Sequence, residues 1–300
     1  MPKKSYYLDD KKENTNIRLQ YEPQRTAVII LGMHRSGTSA LTRVINLLGV
    51  NLGTDLMEAA KDNNERGFWE HRKIVERHDK LLNDLDMRWD DIRKMPSGWL
   101  EYSVTDDARN DLESIIYNEF NTTNLWGIKD PRMCRLLPLW RKMLATLKTR
   151  ITVLHMLRHP LEIACSLKCR DKMPYEQALM LLLRYQTEAL CASDGIRQSW
   201  TSFDQMLVNW RNEIKRIDSE LNLGLICQID KATDKIETFL DKKLRHHTMD
   251  NKKFNIELKL TNWIEKVYNT IRLINNNNST SYLASIQKIQ EEINCATVVF

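Results

Sequence analysis

The sequence predicts an α/β fold of three layers, in which helices flank a mostly parallel central sheet. Short runs rich in apolar residues alternate with longer segments of helical period, and this alternation is typical of βαβ units. The runs lie at about 27–31, 125–129, 151–157 and 199–203. After about residue 250 the pattern changes to two amphipathic stretches. We therefore expect a polar arm over 1–24, one α/β domain over 25–250 and a helical C-terminal extension over 251–300.

The helices are predicted from apolar residues that recur every three to four positions. Pro160 suits the first turn of a helix, Gly49 suits the end of one, and Asp204 is a candidate N-cap. The extension either docks on the domain or mediates the formation of a homo-oligomer. The predicted helices cover about 38–48, 71–89, 105–120, 135–147, 160–169, 174–192, 204–221, 260–274 and 283–293.

Composition and charge narrow the function classes. Apolar residues make up 42% of the chain and charged residues 28%, a balance typical of globular proteins. The net charge of +5 is spread over both termini and the middle of the chain rather than gathered on one element. A nucleic-acid partner is therefore not expected. No apolar run reaches the length of a membrane span, so none is predicted.

The chain is expected to work in the cytoplasm. Its first residues include lysines without the apolar stretch of a secretory signal. The six cysteines show neither a CxxC pair nor the spacing of a disulfide framework. We therefore expect reduced and mostly buried thiols.

The loop over 32–39 carries the clearest chemical signal. It lies between the first apolar run and a predicted helix, and Gly32 and Gly37 have the spacing of a Walker A loop, G-x-x-x-x-G-K-[ST]. Such a loop turns backbone N–H groups toward a phosphate at the positive end of the helix. Thr38 stands where the Walker lysine would be, and the cation is Arg35 instead. The sequence therefore predicts a P-loop-like fold whose anion is not the γ-phosphate of a nucleoside triphosphate.

This loop resembles the 5′-phosphosulfate loop of the sulfotransferases that use 3′-phosphoadenosine-5′-phosphosulfate (PAPS), in which a lysine or arginine precedes Ser-Gly-Thr-Ser/Thr. Arg158 and Ser166 resemble the family's 3′-phosphate element, an arginine at a strand end and a serine in the following helix, with Pro160 between them. The resemblance covers about 26–247 and includes neither the arm nor the extension. Further similarity to bacterial carbohydrate-type sulfotransferases lies in the segments 67–70, 127–132, 202–207 and 239–246.

The resemblance implies PAPS as co-substrate, transfer of its sulfuryl group to an acceptor hydroxyl on a carbohydrate or glycolipid, and no metal. Arg35 would also neutralise the charge that develops as the S–O bond breaks. Lys129 resembles a lysine that stabilises the leaving phosphate. The residues implied to bind PAPS are Arg35, Ser36, Gly37, Thr38 and Ser39 at the 5′-phosphosulfate, and Arg158 and Ser166 at the 3′-phosphate.

The acceptor hydroxyl needs a general base. Glu70 is the first candidate, because related enzymes use a glutamate in the segment after the loop helix. His71 and His34 are the alternatives. A carboxylate such as Glu70 is also favourable at a helix N-terminus through the helix dipole alone.

Two other functions stay open. One is a P-loop nucleotide kinase or NTPase without the Walker lysine, in which Asp130 would mimic the Mg²⁺-binding aspartate. The other is a nucleotide-binding interaction protein without activity. No metal site is expected at His246 and His247, which have no cysteine or carboxylate at ligand spacing. His155, inside an apolar run, is predicted to be a core residue.

Overall fold

A parallel sheet forms the centre of the domain. The structure is a computed structural model that describes residues 25–60, 64–240, 258–275 and 282–297. Its sheet has the order β2-β1-β3-β4, and all neighbouring strands run parallel, which confirms the predicted sheet. The predicted arm over 1–24 lies outside the described residues. The strands are β1 (Thr26–Leu31), β2 (Leu125–Lys129), β3 (Arg150–Leu157) and β4 (Arg197–Ser202).

Helices follow each strand and cover the sheet. Pro160 occupies the first turn of its helix, as predicted, and Gly49 follows the first helix with a φ of 104°. In chain order the described helices are α1 (Thr38–Leu47), α2 (Arg72–Asp84), α3 (Ser103–Phe120), α4 (Met133–Thr146), α5 (Pro160–Asp171), α6 (Tyr175–Ala192), α7 (Phe203–Leu221), α8 (Ile229–Phe239), α9 (Leu258–Asn275) and α10 (Tyr282–Thr297).

The sheet is buried on both faces, which makes it the middle of three layers. In β1, Ala27 and Ile29 belong to one apolar cluster with residues of α4 and α6, whereas Val28 and Ile30 belong to a second cluster with residues of α1 and α7. Successive side chains of a strand alternate between its faces, so a strand covered on both faces is apolar throughout. The three-layer α/β prediction is therefore confirmed.

The carboxyl ends of the parallel strands meet at one edge of the sheet. Ile30 of the central strand β1 pairs with Lys129 at the end of β2 and with Leu154 of β3. The loop after β1 therefore begins beside Lys129 on one side and beside the end of β3, which Arg158 follows, on the other. Ligands of open α/β sheets bind at this edge.

The C-terminal extension docks on the domain through α6. Its apolar residues join the larger of the two core clusters, and the Trp263 indole N–H of α9 donates to Glu292 Oε2 of α10 at 2.7 Å. Self-association through these helices stays a prediction. The linking segment 241–257, with His246 and His247, lies outside the described residues. The buried apolar residues of the extension are Leu260, Trp263, Val267, Ile271, Tyr282, Ile286, Ile289 and Ile293.

Two predicted features of the helices are wrong. α2 ends at Asp84 instead of continuing to about 89, because Asp86 takes a left-handed φ of 54° that breaks the helical path. The N-cap of α7 is Ser202 rather than Asp204. The Ser202 hydroxyl accepts the backbone N–H of Gln205, and the Gln205 side chain accepts the N–H of Ser202. This reciprocal capping box satisfies two donors, which Asp204 inside the first turn cannot do.

α8 has no counterpart among the predicted helices. Its buried residues Ile229, Ala232 and Ile236 have helical spacing, but they are separated by charged residues and follow a short 3₁₀ turn. The helical spacing of these residues is a weak signal in the sequence, because the apolar stripe that they form is only one residue wide.

The cysteines are free, but the prediction that they are mostly buried is wrong. All six lie in the described residues without a disulfide, and only Cys134 is fully buried. Cys169, Cys227 and Cys295 are exposed at the ends of helices or in a turn, where the apolar clusters do not reach. No helix of the described ranges has the length and apolar character needed to cross a bilayer.

Candidate functional site

A cavity of about 890 Å³ opens at the carboxyl edge of the sheet. That volume is in the range of small-molecule sites, roughly 300–1,000 Å³. The predicted site residues that line it come from four separate segments of the chain. They are Arg35, Gly37, Thr38, Ser39, Glu70, Lys129, Arg158 and Ser166.

The loop before α1 has the geometry of an anion cradle. Gly37 takes a φ of 96°, and a Cβ there would lie 2.5 Å from Phe203 Cδ2, so both conformation and space require glycine. Gly37 precedes α1 without any side chain that caps the helix. The backbone N–H groups of Thr38 and Ser39 therefore have no intrahelical acceptor, and both residues line the cavity. An oxyanion is the natural partner of such groups.

Ser36 is the one residue of the predicted PAPS-binding set that does not line the cavity. It is fully buried, its hydroxyl has no hydrogen-bond partner, and it is absent from the cavity wall. Its backbone N–H donates to the Met33 carbonyl at 3.1 Å and closes the turn. Gly32 provides the space, since a Cβ on Gly32 would lie 2.7 Å from Ser36 Oγ. The side chain of Ser36 therefore lies inside the fold, behind the loop, and not in the cavity.

Arg35, Ser166 and Arg158 form one cluster. Arg35 Nε donates to Ser166 Oγ at 2.7 Å, and the Arg158 guanidinium donates to the Arg35 carbonyl at 3.0 Å. The Arg158 Nε also pairs with Glu162 Oε2 at 2.9 Å. The two elements that the sequence predicts to hold the two ends of one nucleotide are thus in direct contact.

Positive charge accumulates at this cluster. Burial lowers the pKa of Arg35, and the neighbouring Arg170 and Arg158 lower it further. A bound anion would relieve this repulsion. The basic residues of the cavity wall outnumber the acidic ones: they are Arg35, Arg66, Lys129, Arg132, Arg158 and Arg170, against Glu65, Glu70 and Asp171.

Glu70 and Lys129 form a buried ion pair that also contacts the loop. Lys129 Nζ pairs with Glu70 Oε1 and donates to Ser39 Oγ at 3.1 Å. Asn64 Nδ2 donates to the same hydroxyl at 3.0 Å. Because the Ser39 oxygen already accepts twice, its own proton is left to donate elsewhere. Lys129 is 2% exposed and Glu70 7%, which excludes a solvated strand-end lysine.

Two opposing effects act on the pKa of the Glu70 carboxyl. Burial raises the pKa of its carboxyl, and the adjacent ammonium of Lys129 opposes that rise. The net direction is upward, toward the range in which a carboxylate acts as a general base near neutral pH. Glu70 precedes α2, which begins at Arg72, and its carboxylate pairs with Lys129. The ion pair with Lys129 therefore contributes to its position beside any effect of the helix dipole.

The segment that carries Glu70 is held in an unusual conformation. Trp69 takes a left-handed φ of 57°, which is rare for a bulky residue. Its indole N–H donates to the Arg66 carbonyl at 3.0 Å, and the Arg43 guanidinium lies 4.2 Å from the ring. The Glu70 carbonyl accepts the backbone N–H of Met57 at 2.8 Å. These contacts direct the Glu70 side chain toward Lys129.

The alternative bases are less well placed. His71 is absent from the cavity wall, and its Nε2 lies 3.7 Å from Glu119 Oε2 on the far side of the segment. His34 does line the cavity, with its ring 4.6 Å from that of Trp89. Burial lowers the pKa of His34 well below its usual value, and Arg132 adds to the effect. A weakly basic imidazole favours Glu70 as the base.

A buried network that sequence reasoning missed supports Arg132 in the cavity wall. Asp130 accepts from the Arg132 guanidinium at 2.9 Å and contacts His78 Nδ1 at 2.7 Å. The Trp140 indole N–H donates to His78 Nε2 at 2.9 Å, which places the imidazole proton on Nδ1. The carboxylate of Asp130 is therefore engaged by Arg132 and His78. This engagement makes a role of Asp130 in Mg²⁺ binding less favourable. The sequence feature that could have indicated this network is His78, a polar residue on the largely apolar face of α2.

His155, Trp99 and Trp89 lie in different surroundings. His155 is 2% exposed and stacks on Trp200 with 3.6 Å between ring centroids, which confirms it as a core residue. Trp99 is buried in the core as well. Trp89 lines the cavity, because α2 ends before it. Its carbonyl accepts the Tyr185 hydroxyl at 2.6 Å, so its loop is fixed to α6.

The described residues hold no cluster of three or more histidine, cysteine or acidic side chains that could bind a metal ion. The cavity combines an anion cradle, a cluster of arginines and a carboxylate with raised pKa. This set of groups can bind a polyanion at two points and remove a proton from a neighbouring hydroxyl.

Comparisons with known proteins show a likeness among solved structures. No family model matches the sequence, and no curated protein matches it. Among solved structures, the chain is similar to a "Sulfotransferase Domain from the Curacin Biosynthetic Pathway", with 13% sequence identity and a TM-score of 0.47. The likeness covers 81% of this chain and 98% of that domain. At this identity and TM-score it carries no functional argument, and the function is inferred from the cavity's own residues.

Proposed function

We propose that the protein is a sulfotransferase that moves the sulfuryl group of PAPS to an acceptor hydroxyl. The observation that carries this proposal is the convergence of two anion-binding elements and one carboxylate on a single cavity. The loop at Gly37–Ser39 and the Arg158–Ser166 element lie in contact through Arg35, and Glu70 reaches the loop through Lys129.

PAPS fits these groups by charge and by size. It carries anionic groups at the 5′ and 3′ positions of one nucleoside, and the cavity offers an arginine from each of the two adjoining elements, Arg35 and Arg158. The volume of about 890 Å³ leaves room for an acceptor beside a nucleotide. Thr38 at the Walker position and the engagement of Asp130 with Arg132 and His78 make the kinase or NTPase alternative the weaker one.

Each group of residues has a separate role in an in-line transfer. PAPS supplies a sulfuryl group whose bond to the 5′-phosphate breaks as the acceptor oxygen bonds to sulfur. The N–H groups of the loop, with Thr38 and Ser39, would hold the 5′-phosphate. Arg35 and Lys129 would stabilise the negative charge that grows on the leaving phosphate oxygen. Arg158 and Ser166 would hold the 3′-phosphate, which fixes the nucleotide at both ends and orients it for attack.

Glu70 would accept the acceptor's proton. In the free site its carboxylate is paired with Lys129, whose ammonium also contacts Ser39 in the loop. A shift of Lys129 toward a bound phosphosulfate would leave Glu70 less neutralised and therefore more basic. The acceptor is proposed to be a carbohydrate or glycolipid hydroxyl on the strength of the sequence resemblance.

Isothermal titration calorimetry tests the proposal. The protein in a buffer with a metal chelator is expected to bind PAPS and the product 3′-phosphoadenosine 5′-phosphate (PAP). ATP with Mg²⁺ is expected to bind more weakly than PAP. Absence of PAP binding would overturn the sulfotransferase assignment, and preferential binding of ATP with Mg²⁺ would establish the kinase or NTPase alternative.

Replacing Arg158 by alanine is expected to raise the Kd for PAP by about ten- to a hundredfold, because charge-assisted hydrogen bonds contribute about 1.5–3 kcal/mol. The Kd for AMP, which lacks the 3′-phosphate, should change little. Calorimetry with both nucleotides measures the difference. Arg109→Ala, which removes an arginine paired with Asp106 on α3, is the matched control. An equal loss of affinity for AMP and PAP would contradict the assignment of Arg158 to the 3′-phosphate.

A further inference from the structure

The C-terminal extension reaches the strand end that carries Arg158. The Tyr268 hydroxyl of α9 donates to the backbone carbonyl of Arg158 with an O–O distance of 2.8 Å. This contact joins residues 110 positions apart in the chain. Tyr268 lies outside the part of the sequence that resembles sulfotransferases, which ends at about residue 247 and includes Arg158.

The carbonyl of Arg158 has no place in regular secondary structure. β3 pairs with β4 as far as Leu157, and the first bonded amides of α5 donate to the carbonyl of His159. Pro160 has no N–H to offer. A backbone carbonyl at such a junction needs a donor from elsewhere in the fold, because an unsatisfied one is costly when buried. Tyr268 is that donor.

The side chain of Arg158 is anchored at the same point. Its guanidinium donates to the Arg35 carbonyl at 3.0 Å and pairs with Glu162 Oε2 at 2.9 Å. It also lies over the Phe203 ring, 4.9 Å from the centroid. The guanidinium extends from the backbone that Tyr268 contacts, so a displacement of the Arg158 peptide would move the point from which the guanidinium reaches these partners.

Tyr268 is itself held firmly. The neighbouring Val267 and Ile271 of α9 are buried in the core cluster. Arg184 of α6 donates to Asn294 Oδ1 of α10 at 2.6 Å, which fastens the extension to the domain. Burial raises the pKa of the Tyr268 hydroxyl, so it stays protonated and remains a donor.

We propose that Tyr268 is a positioning residue for the 3′-phosphate site, and that the C-terminal extension is thereby part of the nucleotide-binding machinery. This inference rests on the proposed function, in which Arg158 binds the 3′-phosphate. It assigns the extension a role in binding specificity in addition to its packing on α6.

The test is Tyr268→Phe in the full chain, which removes the hydroxyl and keeps the ring. Its matched control is Tyr282→Phe, the same change on α10, where the hydroxyl contacts Asp194 Oδ1 at 3.3 Å and not Arg158. Calorimetry with PAP and AMP separates the 3′-phosphate from the rest of the nucleotide. Hydrogen exchange of the backbone amides over 158–163 reports the same contact without any ligand.

The expected result for Tyr268→Phe is a Kd for PAP raised about three- to tenfold, the equivalent of one lost hydrogen bond, with the Kd for AMP unchanged. The KM for PAPS should rise by a similar factor at unchanged kcat, and the amides over 158–163 should exchange faster than in wild type. Tyr282→Phe should leave all five quantities at their wild-type values.

Three results would overturn the inference. Wild-type PAP affinity in Tyr268→Phe would show that the contact does not position Arg158. An equal loss of PAP and AMP affinity, or the same loss in Tyr282→Phe, would reduce the extension to a general structural role. Failure of the wild-type protein to bind PAP would remove the proposed function and this inference together, which distinguishes that failure from the other two.

Discussion

Glu70→Gln is expected to lower turnover by about 10²–10⁴-fold, the usual contribution of a general base. The affinity for PAP should stay near the wild-type value. Glutamine keeps an oxygen that can accept from Lys129 Nζ, so the geometry of the cavity wall is preserved while the proton acceptor is lost. Transfer of labelled sulfate from PAPS to a panel of glycan acceptors, with calorimetry for PAP, measures the two quantities separately.

Glu101→Gln is the control for this substitution. Glu101 pairs with Lys142 on the surface and is absent from the cavity wall. Its variant should retain wild-type turnover. Unchanged turnover in Glu70→Gln would show that another group takes the proton, and His34 in the same cavity would then be the next candidate.

The dependence of turnover on pH follows from the direction of the Glu70 pKa. The base acts in its ionised form, and burial raises the pKa of this carboxyl above its ordinary value of 4.5. Turnover should therefore fall as the pH falls through that raised pKa, at a higher pH than for an exposed glutamate. The acid limb of the kcat profile should be missing from the residual activity of Glu70→Gln. An unchanged acid limb in that variant would assign it to a different group.

Arg35→Ala is expected to reduce both turnover and nucleotide affinity. Turnover should fall by about 10²–10³-fold, as for the loss of one transition-state donor. The affinity for PAP should fall as well, because Arg35 contacts Ser166 of the proposed 3′-phosphate element. Arg35→Lys should recover part of the activity, since it restores the charge without the planar fork. Steady-state kinetics on the two variants gives the comparison.

The backbone at Arg35 provides an internal control. Its φ of 69° is left-handed, a conformation that glycine adopts without strain and alanine does not. The free energy of unfolding of Arg35→Gly should therefore be about 1 kcal/mol higher than that of Arg35→Ala. Both variants lack the guanidinium. Equal inactivity of the two variants would assign the catalytic loss to the side chain. Recovery of activity in Arg35→Gly would assign it to the backbone instead.

Local pattern was sufficient for the parts of the fold that depend on neighbouring residues. The apolar run of β1 predicts a strand covered on both faces, and Pro160 predicts the start of α5. The ends of elements were predicted less well, because a residue such as Asp86 stops a helix through a backbone conformation that many sequences tolerate. Ser202 displaced Asp204 as the cap, since only Ser202 lies before the first turn with a glutamine three residues on.

Contacts between distant segments could not be derived from pattern. Lys129 and Glu70 were predicted as separate catalytic residues, and the structure makes them one ion pair beside Ser39. Ser36 belongs to the predicted loop motif, yet its side chain is buried beneath the turn. Spacing along the chain specifies which residues a motif contains, whereas the direction of each side chain depends on what packs around the loop.

Hydrophobic period, glycine spacing and proline position are local properties, and they were enough to predict an α/β protein whose first strand is followed by a loop with the glycine spacing of an anion cradle. The contacts among Arg35, Ser166 and Arg158, and the docking of the extension on α6 with Tyr268 against the Arg158 carbonyl, arise only when the chain is packed. Those contacts depend on the strand order β2-β1-β3-β4, which places the ends of three distant strands side by side. Strand order is a property of the packed sheet, and no local stretch of the chain encodes it.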